Sequence, residues 1–201
     1  LTSCTSRNRS RIVYHRWYQA RRRQRYAERF QFVIKYLDDL FPEELVLRTF
    51  EYFEKFEDWR DLHDDYDNTQ PSQGRVFDDE FEPIATEYFQ YLDRQDFKRC
   101  IYNKFRPGDC PKPHIDSHSP NGVTYMVYVN PNWDVSMGGE TIFIDNGEII
   151  GSVVPKFGRL LMFSGDILHS ARPPLTQTRY SLVYQNKPTS GADATTLGEL
   201  I

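Results

Sequence analysis

Beyond residue 96 the chain never sustains a helical period. Short segments rich in β-branched and aromatic residues, roughly 99–105, 112–117, 123–129, 141–145, 148–154, 159–164 and 178–185, are separated by Gly, Pro and Asn. Runs of this length with this punctuation read as strands. Seven or eight short strands with such punctuation describe a barrel or sandwich closed from one chain. The expectation is a double-stranded β-helix, or jelly roll, over 97–201.

The first half reads differently. Residues 27–40 place Phe30, Val33, Ile34, Tyr36 and Leu37 along one helical face. A second helix opens at Pro42, with Glu43 and Glu44 at its positive end, and runs to about Lys55 on Leu45, Leu47, Phe50 and Phe53. Residues 61–76 are polar, contain Pro71 and Gly74, and read as a loop. A further helix spans about 79–95, with Phe81, Ile84, Ala85, Tyr88, Phe89 and Leu92 as its buried stripe. The fold class is therefore α+β: a basic extension and helices over 1–96 support the β-core of 97–201. At 201 residues the whole fits one structural domain.

Charge is distributed unevenly along this plan. Residues 1–25 carry eight arginines and no acid, which leaves 17 basic against 29 acidic residues, a net charge of −12, for 26–201. Tyr14, Trp17, Tyr18 and Tyr26 at near-helical spacing favour a basic helix lying on the acidic remainder over a nucleic-acid arm or a targeting segment. No stretch approaches the run of about 20 apolar residues that crosses a bilayer, so no membrane partner is expected. Cys4, Cys100 and Cys110 include no CxxC pair, which fits an intracellular, most simply cytoplasmic, setting. A Cys100–Cys110 bridge stays open, as does a leader removed before Leu1.

His-x-Asp occurs twice. His63 and Asp65 fall in the acidic run RDLHDDYDN, where a solvated face explains them. His114 and Asp116 stand on an expected strand, where residues i and i+2 share a face and can converge on one ion. His169 supplies a third ligand from another strand edge. Two imidazoles and one carboxylate form the facial triad of non-haem Fe(II), although catalytic zinc uses the same set. Arg179 decides between them. It shares a strand face with Ser181, and together they offer a guanidinium fork and a hydroxyl to a carboxylate. A zinc hydrolase has no use for such an anchor.

Residues 97–186 resemble the Fe(II)/2-oxoglutarate-dependent oxygenases, specifically their prolyl 4-hydroxylase-like branch. The resemblance is carried by Gly108 six residues before His114, by YVNPNWD (128–134), GGETIF (138–143), PKFGRLLMF (155–163), His169 and TRY (178–180), in order and spacing. It implies that His114, Asp116 and His169 ligate iron and that Arg179 binds the distal carboxylate of 2-oxoglutarate. It also implies Tyr128 as a second donor to that carboxylate, with Thr141 and Ser181 as helpers. Fe(II), 2-oxoglutarate as cosubstrate and O2 follow, with ascorbate as a reductant. The stretch Asn103 to Gly108 also resembles the Asn-x-Tyr-x-x-Gly element of the AlkB demethylases, with Phe105 in place of the tyrosine. Phe105 then belongs to the core, while Asn103 reaches the pocket.

The implied reaction is hydroxylation of an unactivated C–H bond with release of succinate and CO2. Asp116 supports hydroxylation over halogenation, because related halogenases carry a small residue there. A prolyl or similar residue of a peptide or protein is the expected substrate. A free amino acid or small natural product is the alternative, and Arg172 together with a closed loop over 61–76 would favour it. A nucleic-acid substrate fits poorly with the acidic balance of 26–201. A non-catalytic jelly-roll module would require a damaged triad or anchor, and both are intact. His118 reads as solvent-facing or as a neighbour of the metal ligands, Trp133 and Phe163 as core, and Gly138-Gly139 as a tight turn.

Overall fold

The computed structural model describes residues 34–61, 72–93, 96–118 and 122–186. Along the chain these form β1 (Ile34–Leu37), α1 (Glu43–Lys55), β2 (Arg60–Asp61), β3 (Gln73–Asp78) and a one-turn α2 (Pro83–Thr86) that runs into a 3-10 turn (Glu87–Tyr91). There follow β4 (Phe97–Phe105), β5 (Val123–Tyr128), β6 (Thr141–Asp145), β7 (Glu148–Val153), β8 (Leu160–Ser164), β9 (Leu168–Ala171) and β10 (Arg179–Asn186). The strands make an antiparallel sheet ordered β1-β8-β5-β10-β4-β3-β2 and a smaller one ordered β7-β6-β9.

The larger sheet is covered on both faces, and its central strands show it. Every residue of β5 is buried. Its Val123, Tyr125 and Val127 join Leu160 and Met162 of β8, Tyr102 of β4, and Tyr180, Leu182 and Tyr184 of β10 in a core beneath the helices. The alternate residues Met126, Tyr128, Leu161, Phe163 and Val183 face the smaller sheet and pack with Phe143 and Val153. Strands between two layers lose the polar–apolar alternation of a half-exposed strand.

Helix α1 covers the first of these cores with Leu45, Val46, Thr49 and Phe53. Pro42 caps it through its carbonyl, which accepts from Leu45 and Val46 at 3.0 and 3.3 Å. The interface is aromatic: the Phe53 and Tyr102 rings lie 4.6 Å apart, and Phe41 meets Tyr88 edge-on at 4.9 Å. Four phenols there find an acceptor or partner. Tyr52 and Tyr102 both donate to Glu82 Oε2, at 2.6 and 3.0 Å, Tyr184 donates to the Ala85 carbonyl at 2.6 Å, and Tyr88 pairs with Thr49 Oγ1 at 2.7 Å.

Several expectations need correction. Ile34–Leu37, expected as the end of a helix over 27–40, is the edge strand β1, paired with Leu160–Phe163. Backbone pairing with β8 prevails there over the apolar spacing; residues 27–33 lie outside the described residues, as does the Arg-rich 1–25. The expected loop 61–76 contains the start of β3, whose Gln73–Asp78 pair with Arg99–Lys104 despite a polar sequence with Gly74. Residues 62–71, with His63 and Asp65, are likewise outside the described set. The helix expected over 79–95 shrinks to α2 and the 3-10 turn. The segment 112–117 is not a strand; His114 alone makes a bridge, to His169 in β9, a strand that the segmentation missed. Cys100 and Cys110 are both free thiols.

Asp38, just past β1, ties that edge to the turn before β8. It accepts from Arg159 Nε and Nη2 at 2.7 and 3.0 Å and from Lys156 Nζ at 2.8 Å. The Arg159 hydrogen bonds, aided by Lys156, hold its carboxyl at about 2 rather than 3.8. A carboxyl depressed in the folded state contributes stability above its unfolded pKa and loses it as pH falls towards the folded one. Asp38→Asn is therefore expected to cost about 1–2 kcal/mol at pH 7, with partial exposure discounted. Urea titrations should show that penalty shrinking as pH drops from about 4 towards 2.

Candidate metal centre

His114 and His169 are brought opposite each other by their backbones. His114 N–H donates to the His169 carbonyl at 2.9 Å, and His169 N–H returns the bond at 3.0 Å. This is a hydrogen-bonded antiparallel pair, which sets the two side chains on one face. Their rings stand 4.5 Å apart between centroids. Asp116 is hung nearby by its own N–H, which donates to the Gly165 carbonyl at 2.8 Å. Gly165 has no room for more: a Cβ there would lie 2.9 Å from Cβ of Ser117.

The three side chains converge. Nε2 of His114 is 3.6 Å from Asp116 Oδ1, and Nε2 of His169 is 3.6 Å from Oδ2. One ligand atom from each residue falls within 4.8 Å of the others, and this is the metal-capable cluster among the described residues. Each imidazole turns Nδ1 to a carbonyl two residues upstream, Lys112 and Ile167 respectively, at 2.9 Å. A carbonyl only accepts, so both Nδ1 carry the proton and both Nε2 present a lone pair inward. His169 is 4% exposed, and burial lowers its pKa, which keeps that lone pair free. Thr124 Oγ1 donates to Asp116 Oδ2 at 2.6 Å.

Arg179 lies in the same hollow, a cavity of about 190 Å³ also lined by Asn103, Phe105, Met126, Thr141 and the three cluster residues. It is 1% exposed, and its loss of hydration lowers the guanidinium pKa. Phe105 and Tyr128 offer ring faces to its Cζ at 5.2 and 5.0 Å. Nη2 reaches Thr141 Oγ1 at 3.2 Å and Met126 Sδ at 3.3 Å, whereas Nε and Nη1 have no partner. A buried cation so poorly paired is costly unless an anion joins it. That is the feature a dicarboxylate such as 2-oxoglutarate fits, with the cluster available for its other end.

The remaining expected residues are distributed as follows. Thr141 and Asn103 line the cavity; Tyr128 and Ser181 are buried behind it. Tyr128 pairs with Thr141 Oγ1 at 2.7 Å, and Ser181 Oγ has no partner. Phe105, read as core, is also cavity wall. His118 and Arg172 are exposed and do not line the cavity. Trp133 is core, as expected, but Gly138-Gly139 is more than a turn. A Cβ on Gly139 would come within 2.9 Å of Trp133 and 3.3 Å of Arg179 Cδ, at φ +74°. Thr124, Met126, Gly139 and Gly165 were not foreseen as site residues. The one available signal was strand parity, which put Thr124 and Met126 on the face of Tyr128.

A jelly roll that gathers two imidazoles and a carboxylate at the mouth of a cavity has the donor set of a non-haem metal oxygenase. Residues 100–184 match the 2OG-Fe(II) oxygenase superfamily. The protein is a 2-oxoglutarate-dependent dioxygenase, with Fe(II), 2-oxoglutarate and O2 as its cofactor and cosubstrates. Its structure is similar to a prolyl-4-hydroxylase of Pseudomonas putida, at 19% identity and a TM-score of 0.63 over 77% of this chain and 92% of that one. It is also similar to a Trichoplax adhaerens prolyl hydroxylase in complex with a hypoxia inducible factor oxygen degradation domain peptide fragment. There the identity is 16% and the TM-score 0.61, over 84% and 92% of the two chains. The non-heme α-ketoglutarate-dependent epimerase SnoN of nogalamycin biosynthesis follows at 15% and 0.56, over 85% and 91%. At these identities the likeness is one of fold. No curated protein sequence matches the chain. Among the described residues no helix is long and apolar enough to cross a membrane.

Gly139 gives a test of the pocket wall. Gly147 has a similar φ of +77° but open space around its Cβ position. Gly147→Ala should cost about 1 kcal/mol for conformation alone. Gly139→Ala should cost about 2–4 kcal/mol, because the clash with Trp133 and Arg179 is added. Chemical denaturation of the two variants measures the difference.

Proposed function

We propose that the protein hydroxylates an unactivated C–H bond of a prolyl or similar residue in a peptide or protein. The observation that carries this reading is the presence, in one cavity, of the His114–Asp116–His169 cluster and a buried guanidinium with two unpartnered nitrogens. Nε2 of each histidine and the Asp116 carboxylate would hold Fe(II). Arg179 would take the distal carboxylate of 2-oxoglutarate, with Thr141 beside it. Tyr128 acts through Thr141 and through its ring against the guanidinium; Asn103 lines the pocket, and Ser181, its partner across β10 and β4, lies behind the wall.

With Fe(II) and 2-oxoglutarate bound, the site couples oxidative decarboxylation of the cosubstrate, to succinate and CO2, with hydroxylation of the substrate. The chain's own contribution is placement and exclusion of water. Arg179 fixes the cosubstrate's far end by charge and geometry. Phe105, Met126 and Val183 keep the cavity wall apolar, so that the charges in it interact strongly.

The peptide reading is supported by the prolyl hydroxylases among the similar folds, one of them carrying a peptide. Arg172, the residue that would have held the carboxylate of a free amino acid, is exposed and off the cavity wall. The likeness to SnoN keeps a small-molecule substrate as the second reading.

His169→Ala is expected to abolish oxygen-dependent succinate formation and to lower Fe(II) affinity at least about tenfold in equilibrium dialysis; unchanged turnover would reject the ligand assignment. Arg179→Leu should raise the KM for 2-oxoglutarate about 10- to 100-fold, the loss of one charge-assisted contact. A screen of succinate release over proline-containing peptides, free amino acids and oligonucleotides tests the substrate class. Stimulation by peptides is expected, and stimulation confined to amino acids would replace the peptide reading with the small-molecule one.

A further inference from the structure

Asp116 faces two imidazoles at once, with one oxygen 3.6 Å from each Nε2. Left to itself this near-symmetric carboxylate could close on an ion through both oxygens, since carboxylates bind either singly or in chelate form. The sheet breaks the symmetry. Thr124 donates its hydroxyl to Oδ2 alone, at 2.6 Å, a length typical of charge-assisted O–H···O⁻ bonds. Thr124 is 1% exposed and is held from both sides, paired with Phe163 of β8 and Gln185 of β10. Asp116 is held in turn through its N–H on Gly165. Neither group is free to turn away.

We propose that Thr124 is the positioning residue that makes Asp116 a one-oxygen ligand. With Oδ2 occupied by the hydroxyl, Oδ1 is left to join the two imidazoles, and three positions of an octahedral ion stay open. The count matters for this chemistry. A chelating 2-oxo acid takes two positions and dioxygen needs a third, so a carboxylate binding through both oxygens would leave the set one short. The inference deepens the ligand assignment proposed above and rests on it.

Mn(II) alone serves as the probe, because its enhancement of water-proton relaxation scales with the number of exchangeable waters it holds. Thr124→Val is isosteric and removes only the donor. Its bound Mn(II) should lose about one-third of the wild-type relaxivity, as three open positions become two. The KM for 2-oxoglutarate should rise about tenfold in the Fe(II) enzyme. Thr124→Ala should move relaxivity the same way, and Thr124→Ser, which keeps the hydroxyl, should restore both readouts. Wild-type relaxivity in the Val and Ala variants would overturn the proposal. So would a loss that Ser does not restore, which marks a packing defect, or a complete loss of Mn(II) in both. His169→Ala separates the two claims: wild-type Mn(II) binding in that variant rejects the ligand assignment itself. Lost binding there, beside unchanged relaxivity in Thr124→Val, rejects only the role of Thr124.

Discussion

Two backbone hydrogen bonds, exchanged between His114 and His169 at 2.9 and 3.0 Å, join parts of the chain 55 residues apart and create the site. Neither histidine needs a side-chain contact to find the other. Because an antiparallel hydrogen-bonded pair fixes the direction of both Cβ bonds, the two imidazoles are aimed before any ion arrives. The carbonyls of Lys112 and Ile167 then choose the tautomer on each side in the same way. The smaller sheet ends at β9, and this bridge carries its edge one residue further. Had 112–117 formed a full strand, as its composition suggested, Asp116 would have followed the ladder. Instead it turns out to Gly165, and that departure lets the carboxylate meet both rings.

A second constraint comes from charge. Arg179 is a cation removed from water whose near neighbours are two aromatic faces, a thioether and a hydroxyl. None of them carries a formal negative charge, and the Glu140 carboxylate acts on the guanidinium only through space. Such a group destabilises the free protein and favours any ligand that brings an anion to it. Met126 links this end of the hollow to the other. It touches Arg179 through Sδ, and two residues away on the same face of β5 Thr124 donates to Asp116. One strand face therefore touches both Arg179 and Asp116, over a span of about 7 Å between alternate residues.

Sequence reasoning reached the jelly roll through punctuation by Gly and Pro, and His114, Asp116, His169 and Arg179 through residue chemistry; the strand parity expected for His114 and Asp116 is not how they meet, because 112–117 is not a strand. It failed where pairing decides. Ile34–Leu37 carries apolar residues that suit a helix as well as a strand, and only the free edge of β8 selects the strand. Gln73–Asp78 is polar and holds a glycine, yet β4 offers it a ladder. Thr124 could be placed on the right face from its parity with Tyr128, but its bond to Asp116 depends on how Gly165 folds the 114–118 segment back. Gly139 looked like a turn glycine, since the nearness of Trp133 and Arg179 is a tertiary fact.

Fold and function share the same strands through alternation. Along β10 the residues Tyr180, Leu182 and Tyr184 pack under the helices, while Arg179 and Val183 line the cavity and Ser181 lies between them on that face. A slip of one residue would bury a guanidinium among aromatic rings on the helix side and turn Tyr180 into the pocket. Pairing with β4 and β5 on both sides resists such a slip, but the start of β10 has a separate lock. Asn130, in the YVN stretch and 4% exposed, accepts from the N–H of Tyr180 at 2.6 Å and donates to the carbonyl of Thr178 at 2.8 Å. Its carboxamide thus acts as a short piece of neighbouring strand, gripping the residues on either side of Arg179. Asp or Leu at 130 could not make both bonds, because one lacks the donor and the other lacks both groups. The asparagine in that motif is therefore explained by register: it holds in place the strand position on which the buried cation depends.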